Sequence, residues 1–322
     1  MNNKKIRYFY MNAAEVMDTT IDIFKKSFFV QIGYNLIVSI ISSIVIFILA
    51  FFSLLFFSAV ILASGFSFES TPTASLIITL SVFGLVVVFA YLLMGSVTST
   101  GNVILANDTF KGKKPNLNKT LSLALKKIPA VFSIVFAQII LFLPFLAVIA
   151  TSVYAYVMLI EALDLMIFSV VTLLLFILIT AVFLFLVIAL LSIFQTIVFL
   201  SIPVCIFEKK YFFSAIFRSF ELVKKNFLRI LATVVLWQLS ITMFSLGISL
   251  FMAFAARIVD LVLPSQIAFV LSMFMASINY IVVYAAGIVV APLGGVFINT
   301  MYINRKIKCE GYDITMYLEE EV

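Results

Sequence analysis

The sequence contains no histidine. That removes the commonest general base and the commonest metal ligand. It has two cysteines, Cys205 and Cys309. Without His they make no metal motif. Both fall near expected cytoplasmic helix ends, so reduced thiols and no disulfide are expected. No Gly-rich phosphate loop, serine nucleophile elbow or Cys–His pair occurs. Charge is also scarce, at 11% of residues, where a soluble domain carries about 25%. A surface so poor in charge cannot face water over most of its area, so lipid is the expected solvent.

Where carboxylates occur, they lie at the ends of apolar runs or in tails. Glu161 and Asp164 read as a polar cap on a short outer turn, and Glu319, Glu320 and Glu321 as a solvated acidic tail. No Asp, Glu, Lys or Arg stands at mid-depth in an expected span. Such groups mark proton relays and ion pathways in membranes, so their absence argues against proton-coupled transport and intramembrane hydrolysis. No catalytic, cofactor-binding or metal-binding residue is assigned, and the protein is expected not to be an enzyme.

What the sequence has is apolar length. Hydrophobic residues make up 64% of the chain, with 36 Phe but only 11 Gly and 7 Pro. Only helices and closed barrels satisfy their backbone in hydrocarbon. Barrel strands would alternate apolar and polar residues over about ten positions, whereas the runs here are continuous. They occupy roughly 28–63, 74–106, 129–160, 165–207, 227–256 and 266–304, each longer than the ~20 residues a span needs. The run at 165–207 is read as one long helix, since nothing between Phe168 and Ser201 offers a turn. The first run is too long for a secretory signal core, so an uncleaved first span is expected.

All but Arg257 of the 21 Lys and Arg lie in the N-terminus, the 107–127 loop, the 208–229 segment and the C-terminal tail. Basic residues near span ends remain cytoplasmic. The expectation is therefore a single all-α membrane domain over 1–322: a six-helix bundle of the cell membrane with both termini in the cytoplasm and a cytoplasmic tail from 305. This topology signal accounts for the net charge of +6 without nucleic-acid binding.

A lysine pair recurs about every 100 residues: Lys25-Lys26, Lys126-Lys127 and Lys224-Lys225. Each follows a short amphipathic stretch and precedes a span. In the first, an interfacial helix at 12–26, Ala13, Val16, Met17, Ile21 and Phe24 recur at helical spacing while Glu15, Asp18, Asp22 and Lys25 face away. Asn118 is the expected cap of the second stretch and Ser214 of the third, which carries Phe217, Phe220 and Val223. The unit of interfacial helix, lysine pair and two spans thus repeats three times. The six lysines are candidate lipid-headgroup contacts, with a role purely in topology as the alternative.

Five amides lie in the apolar runs: Gln138, Gln195, Gln238, Asn279 and Asn299. They are candidate intramembrane polar contacts, read as hydrogen bonds between helices or as the lining of a polar cavity. Pro292-Leu293-Gly294-Gly295 interrupts the last run, as a kink or as a broken helix at a site.

Two segments carry a family resemblance. One runs from Pro292 through Tyr302, Arg305 and Lys306 to Glu310-Gly311-Tyr312-Asp313. The other runs from Phe213 through Arg218, Ser219, Lys224 and Lys225 to Phe227. They resemble the membrane domain attached to some bacterial glycerophosphodiester phosphodiesterases, which ends in a Pro-containing span, a Tyr, a basic pair and a Glu-Gly turn. The resemblance implies a stand-alone bacterial membrane domain. The family's catalytic domain relies on His and metal-binding carboxylates and has no counterpart here, so its hydrolytic activity does not carry over. The expected function is a non-enzymatic membrane protein that handles or senses lipid at the cytoplasmic leaflet. A transporter or transport subunit is the alternative. Expected partners are membrane lipids, or a partner membrane protein, and no nucleic acid or cofactor.

Overall fold

A computed structural model describes residues 10–64, 74–162, 170–262 and 265–312. Ser70, Leu163, Asp164 and Asp313 lie outside them, as does the 319–321 acidic tail. Every regular element among the described residues is a helix: α1 (Ala13–Ser64), α2 (Ala74–Phe110), α3 (Leu117–Ala162), α4 (Val170–Val198), α5 (Ser201–Glu208), α6 (Phe212–Lys224), α7 (Phe227–Val262) and α8 (Ser265–Glu310). Among the described residues, five stretches are long and apolar enough to cross a membrane: Ala13–Ser53, Leu117–Glu161, Leu174–Glu208, Phe227–Ala255 and Met273–Glu310. Many hydroxyls inside these helices bond their own backbone. Ser42 and Thr180, for example, donate to the carbonyls of Val38 and Phe176, each four residues back, at 2.7 and 2.8 Å. In this way a Ser or Thr is satisfied within its own helix.

The amphipathic stretches differ in how they meet the spans. Residues 12–26 do not form a separate helix, because α1 runs unbroken from Ala13. α3 is likewise continuous from Leu117. Only α6 is a helix of its own, set off from α7 by a turn in which Asn226 N–H donates to Val223 O at 3.0 Å. The cap of α3 is Asn116 rather than Asn118: its Oδ1 accepts from Lys119 N–H at 3.2 Å. Ser214 lies third in α6, and its hydroxyl reaches back to accept from Tyr211 N–H at 3.2 Å.

The expected single helix over 165–207 breaks at Phe199-Leu200, between α4 and α5. Pro203 is the reason. It has no N–H to donate to the Phe199 carbonyl, whereas Val204 N–H still reaches Leu200 O at 3.1 Å. Pro292, by contrast, sits inside a continuous α8.

The chain forms two compact units. The first comprises Ala14–Phe132 and Ser245–Thr300. Its core joins Tyr34, Val38, Val97, Leu105 and Ala124, flanked by Val30, Leu121 and Ile128. The second comprises Ser133–Phe244 with residues 10–13 and 301–312. Its core joins Ala137, Val198 and Ile216, flanked by Leu141, Phe194, Ile197 and Phe213.

Candidate functional site

A polar seam runs along α1 in the first unit. Ser27, Gln31 and Asn35 follow one another at four-residue spacing and so share a face, and all three are buried. Gln31 Nε2 donates to Ser27 Oγ at 2.6 Å. Asn35 Nδ2 donates to Asn102 Oδ1 of α2 at 2.7 Å, and Asn102 Nδ2 returns a bond to Asn35 Oδ1 at 3.1 Å. One turn away Tyr34 donates its hydroxyl proton to Val97 O at 2.7 Å. The Tyr34 ring lies on Gly101, where a Cβ would overlap it, and Gly295 of α8 leaves the same room for Asn102. Gly295 thus serves close approach between helices, and α8 does not unwind there.

The seam continues into a cleft of about 440 Å³, within the roughly 300–1,000 Å³ range of small-molecule sites. Ser39, Ser42, Ser43, Thr98, Ser99 and Tyr284 supply hydroxyls, and Asn102 lies at its inner end. The remaining lining is Ile46, Met94, Ala291, Ile298 and glycines. None of these side chains is Asp, Glu, Lys or Arg. Ser42 and Thr98 spend their protons on backbone carbonyls at 2.7 and 2.9 Å, which leaves lone pairs free to accept. Ser43 and Tyr284 hydroxyls stand 3.3 Å apart.

The residues expected from the sequence are dispersed. Lys25, Lys26, Lys126, Lys224 and Lys225 are exposed, and Lys127 is half-buried. Each pair has exposed apolar neighbours: Ile21 and Phe29 beside the first, Leu123 and Leu125 beside the second, Phe217, Phe220 and Leu228 beside the third. Ile21, Phe217 and Phe220 therefore lie on the outer face with the lysines. Gln138 Nε2 donates to Ser201 Oγ at 2.8 Å within the second unit. Gln195 and Gln238 are exposed. Asn279 Oδ1 and both polar atoms of Asn299 are buried without a hydrogen-bond partner among the described residues. Glu161 is exposed, and no group of three or more His, Cys, Asp or Glu among the described residues is placed to hold a metal ion.

The second unit contains an ionic cluster between the ends of α5 and α8 and the middle of α6. Arg218 Nε donates to Glu208 Oε2 at 2.9 Å, and its guanidinium also pairs with Glu310. Tyr302 donates to Glu208 Oε1 at 3.0 Å, and Lys306 Nζ lies 3.8 Å from the same oxygen. Burial opposes the charge on Arg218, but the two carboxylates outweigh it and hold its pKa above the ordinary value. Arg305, itself buried, donates through Nε to Leu222 O at 2.9 Å. Met11, just before α1, is tied in as well: its N–H donates to Asn304 Oδ1 at 2.8 Å and Asn304 Nδ2 donates to Met11 O at 3.0 Å. The Phe213–Phe227 segment and the end of α8 are thus joined by Arg218–Glu310 and by Arg305–Leu222.

Sequence reading passed over the cleft and the cluster. Ser27, Gln31, Asn35, Ser39 and Ser42 lie at intervals of three or four in an otherwise apolar run, and that stripe was the available signal. The cluster left none, because Glu310 lies 92 residues beyond Arg218 along the chain.

Large apolar side chains such as Phe47, Phe185, Phe251 and Ile281 stand exposed along the spans, as they do where lipid is the solvent. The chain belongs to the class of helical membrane proteins. Comparison with protein-family models, with curated proteins and with solved structures gives no match.

Proposed function

We propose that this protein is a non-enzymatic, multi-pass protein of the bacterial cell membrane that engages lipid at the cytoplasmic leaflet, as the stand-alone membrane domain its motifs resemble. In this reading α2 joins the five span-length helices as a sixth crossing, the three hairpin units are repeats, and both termini are cytoplasmic. One observation carries it: every lysine pair lies beside exposed apolar side chains. Phe29 is 86% exposed beside Lys25-Lys26, and Leu228 is 78% exposed beside Lys224-Lys225. A chain that puts apolar and basic groups on one outer face suits a headgroup layer, where lysine stems lie on apolar surface and the ammonium reaches phosphate. Each lysine near an anionic surface contributes about 1 kcal/mol.

The test replaces all six lysines with Gln, confirms that orientation is kept, and measures co-purifying anionic lipid by native mass spectrometry. Retention should fall clearly below that of the parent. Equal retention would leave the pairs as topology signals only. Metal-dependent hydrolysis of glycerophosphodiesters by purified protein, lost on replacing Glu161 or Asp164, would overturn the non-enzymatic reading. The cleft of the first unit favours the alternative, a transporter or transport subunit, because hydroxyl side chains line part of it. Uptake of a small solute into proteoliposomes is the result that would favour it.

A further inference from the structure

We infer that the cleft of the first unit binds an uncharged lipid carrying a free hydroxyl, of the diacylglycerol type. The inference deepens the lipid reading above and rests on it, but it uses none of the lysines. The lining decides the ligand class. Among the described residues no Lys or Arg lines the cleft, so a phosphate drawn into it would lose water and gain no counter-charge, which is costly. A fully hydroxylated solute would leave most of its polar groups against Ile46, Met94, Ala291 and Ile298. A lipid alcohol matches better, since it needs a few polar partners at one end and apolar surface elsewhere.

The hydroxyls are arranged to meet such an end. Ser42 and Thr98, whose protons are committed to Val38 O and Met94 O, accept from a ligand hydroxyl. Ser39 and Ser99 make no side-chain hydrogen bond among the described residues, so they are free to donate to ester carbonyls. The cleft reaches the outer surface of the helices, since Tyr284 in its lining is exposed, so acyl chains can remain in the bilayer while the glycerol end enters.

Gly95 and Gly294 line the cleft, and a Cβ at either meets nothing within 4 Å. Gly95→Leu therefore fills cleft space without a backbone clash. Ser39→Ala/Ser99→Ala removes the free donors at almost constant volume.

Full-length protein in phosphatidylcholine nanodiscs is irradiated with a diacylglycerol bearing a diazirine on the acyl carbons next to its ester, and separately with a phosphatidic acid bearing the same chains. Labelled peptides are mapped by mass spectrometry, and thermal melts confirm that each variant folds. The diacylglycerol probe should label peptides containing 39–46 and 94–102 about tenfold more than the phosphatidic acid, and that labelling should fall about tenfold in the double serine variant, as expected for the loss of two hydrogen bonds. It should also fall in Gly95→Leu. Equal labelling by the two probes, or labelling unchanged in both folded variants, overturns the inference. The six-Gln lysine variant separates the two readings. If it retains anionic lipid while the cleft still labels, only the lysine reading fails. If cleft labelling is absent while the parent loses anionic lipid on lysine replacement, only the cleft reading fails.

Discussion

Asn35 on α1 and Asn102 on α2 exchange side-chain hydrogen bonds at 2.7 and 3.1 Å, and both are buried. Asn35 Nδ2 also donates to Gln31 O at 2.8 Å. In an apolar medium each amide is the other's replacement for water. Removing one leaves the other unpaired, whereas removing both removes the need. The cycle of Asn35→Ala, Asn102→Ala and the double variant, followed by thermal unfolding in detergent, should give a coupling energy of about 0.5–2 kcal/mol. Additive effects would show that the pair does not hold α1 to α2.

The glycines divide sharply. Gly101→Ala would drive its methyl into the Tyr34 ring, and Gly295→Ala into Asn102. Overpacking of this kind costs about 1–3 kcal/mol. Gly95→Ala and Gly294→Ala meet no neighbour within 4 Å and should be neutral or stabilise by up to about 1 kcal/mol, because Ala is the better helix former. Melting temperatures of the four variants check this. Gly101→Ala combined with Tyr34→Ala should recover part of the loss.

Arg218 matters through the carboxylate it leaves behind. Glu208 is 11% exposed, whereas Glu221, also paired with Arg218, is 53% exposed. Arg218→Gln should destabilise the second unit by about 1–3 kcal/mol, since a shielded carboxylate loses its main partner. Glu221→Gln should change stability by less than about 0.5 kcal/mol, as exposed pairs do. Thermal unfolding at low and high salt separates the two, with the Arg218 effect the less salt-sensitive.

Topology is testable by cysteine labelling in a variant lacking Cys205 and Cys309. A membrane-impermeant maleimide applied outside should reach replacements at Ser70 and Leu163, and should not reach those at Lys113, Lys209 or Lys308. Outside labelling at Lys308 would remove the six-span arrangement.

Composition and run length alone determined that this is a helical membrane protein. So little charge cannot clothe a water-facing surface, and unbroken apolar runs admit only helices in hydrocarbon. The exposed positions of Glu15, Asp18, Asp22 and Lys25 were legible too, because helical periodicity is a local property. The buried face of that same helix was legible only in part: Val16 and Phe24 are buried as their spacing predicts. Thr20, Ser27 and Gln31 are buried there too while Ile21 faces out, because Thr20 and Ser27 bond the Val16 and Ile23 carbonyls of their own helix, Gln31 donates to Ser27, and lipid accepts the isoleucine. In a membrane, apolar character does not mark the inside, so the usual sign of a core is lost.

Tertiary structure decided the rest. It paired Asn35 with Asn102, opened a hydroxyl-lined cleft beside them, and gathered Glu208, Arg218 and Glu310 from three helices into one ion cluster. Each depends on close approach between residues distant in sequence. The glycines show the same limit. Gly95, Gly101, Gly294 and Gly295 look alike along the chain, and only the packing of Tyr34 and Asn102 makes two of them irreplaceable and leaves two free.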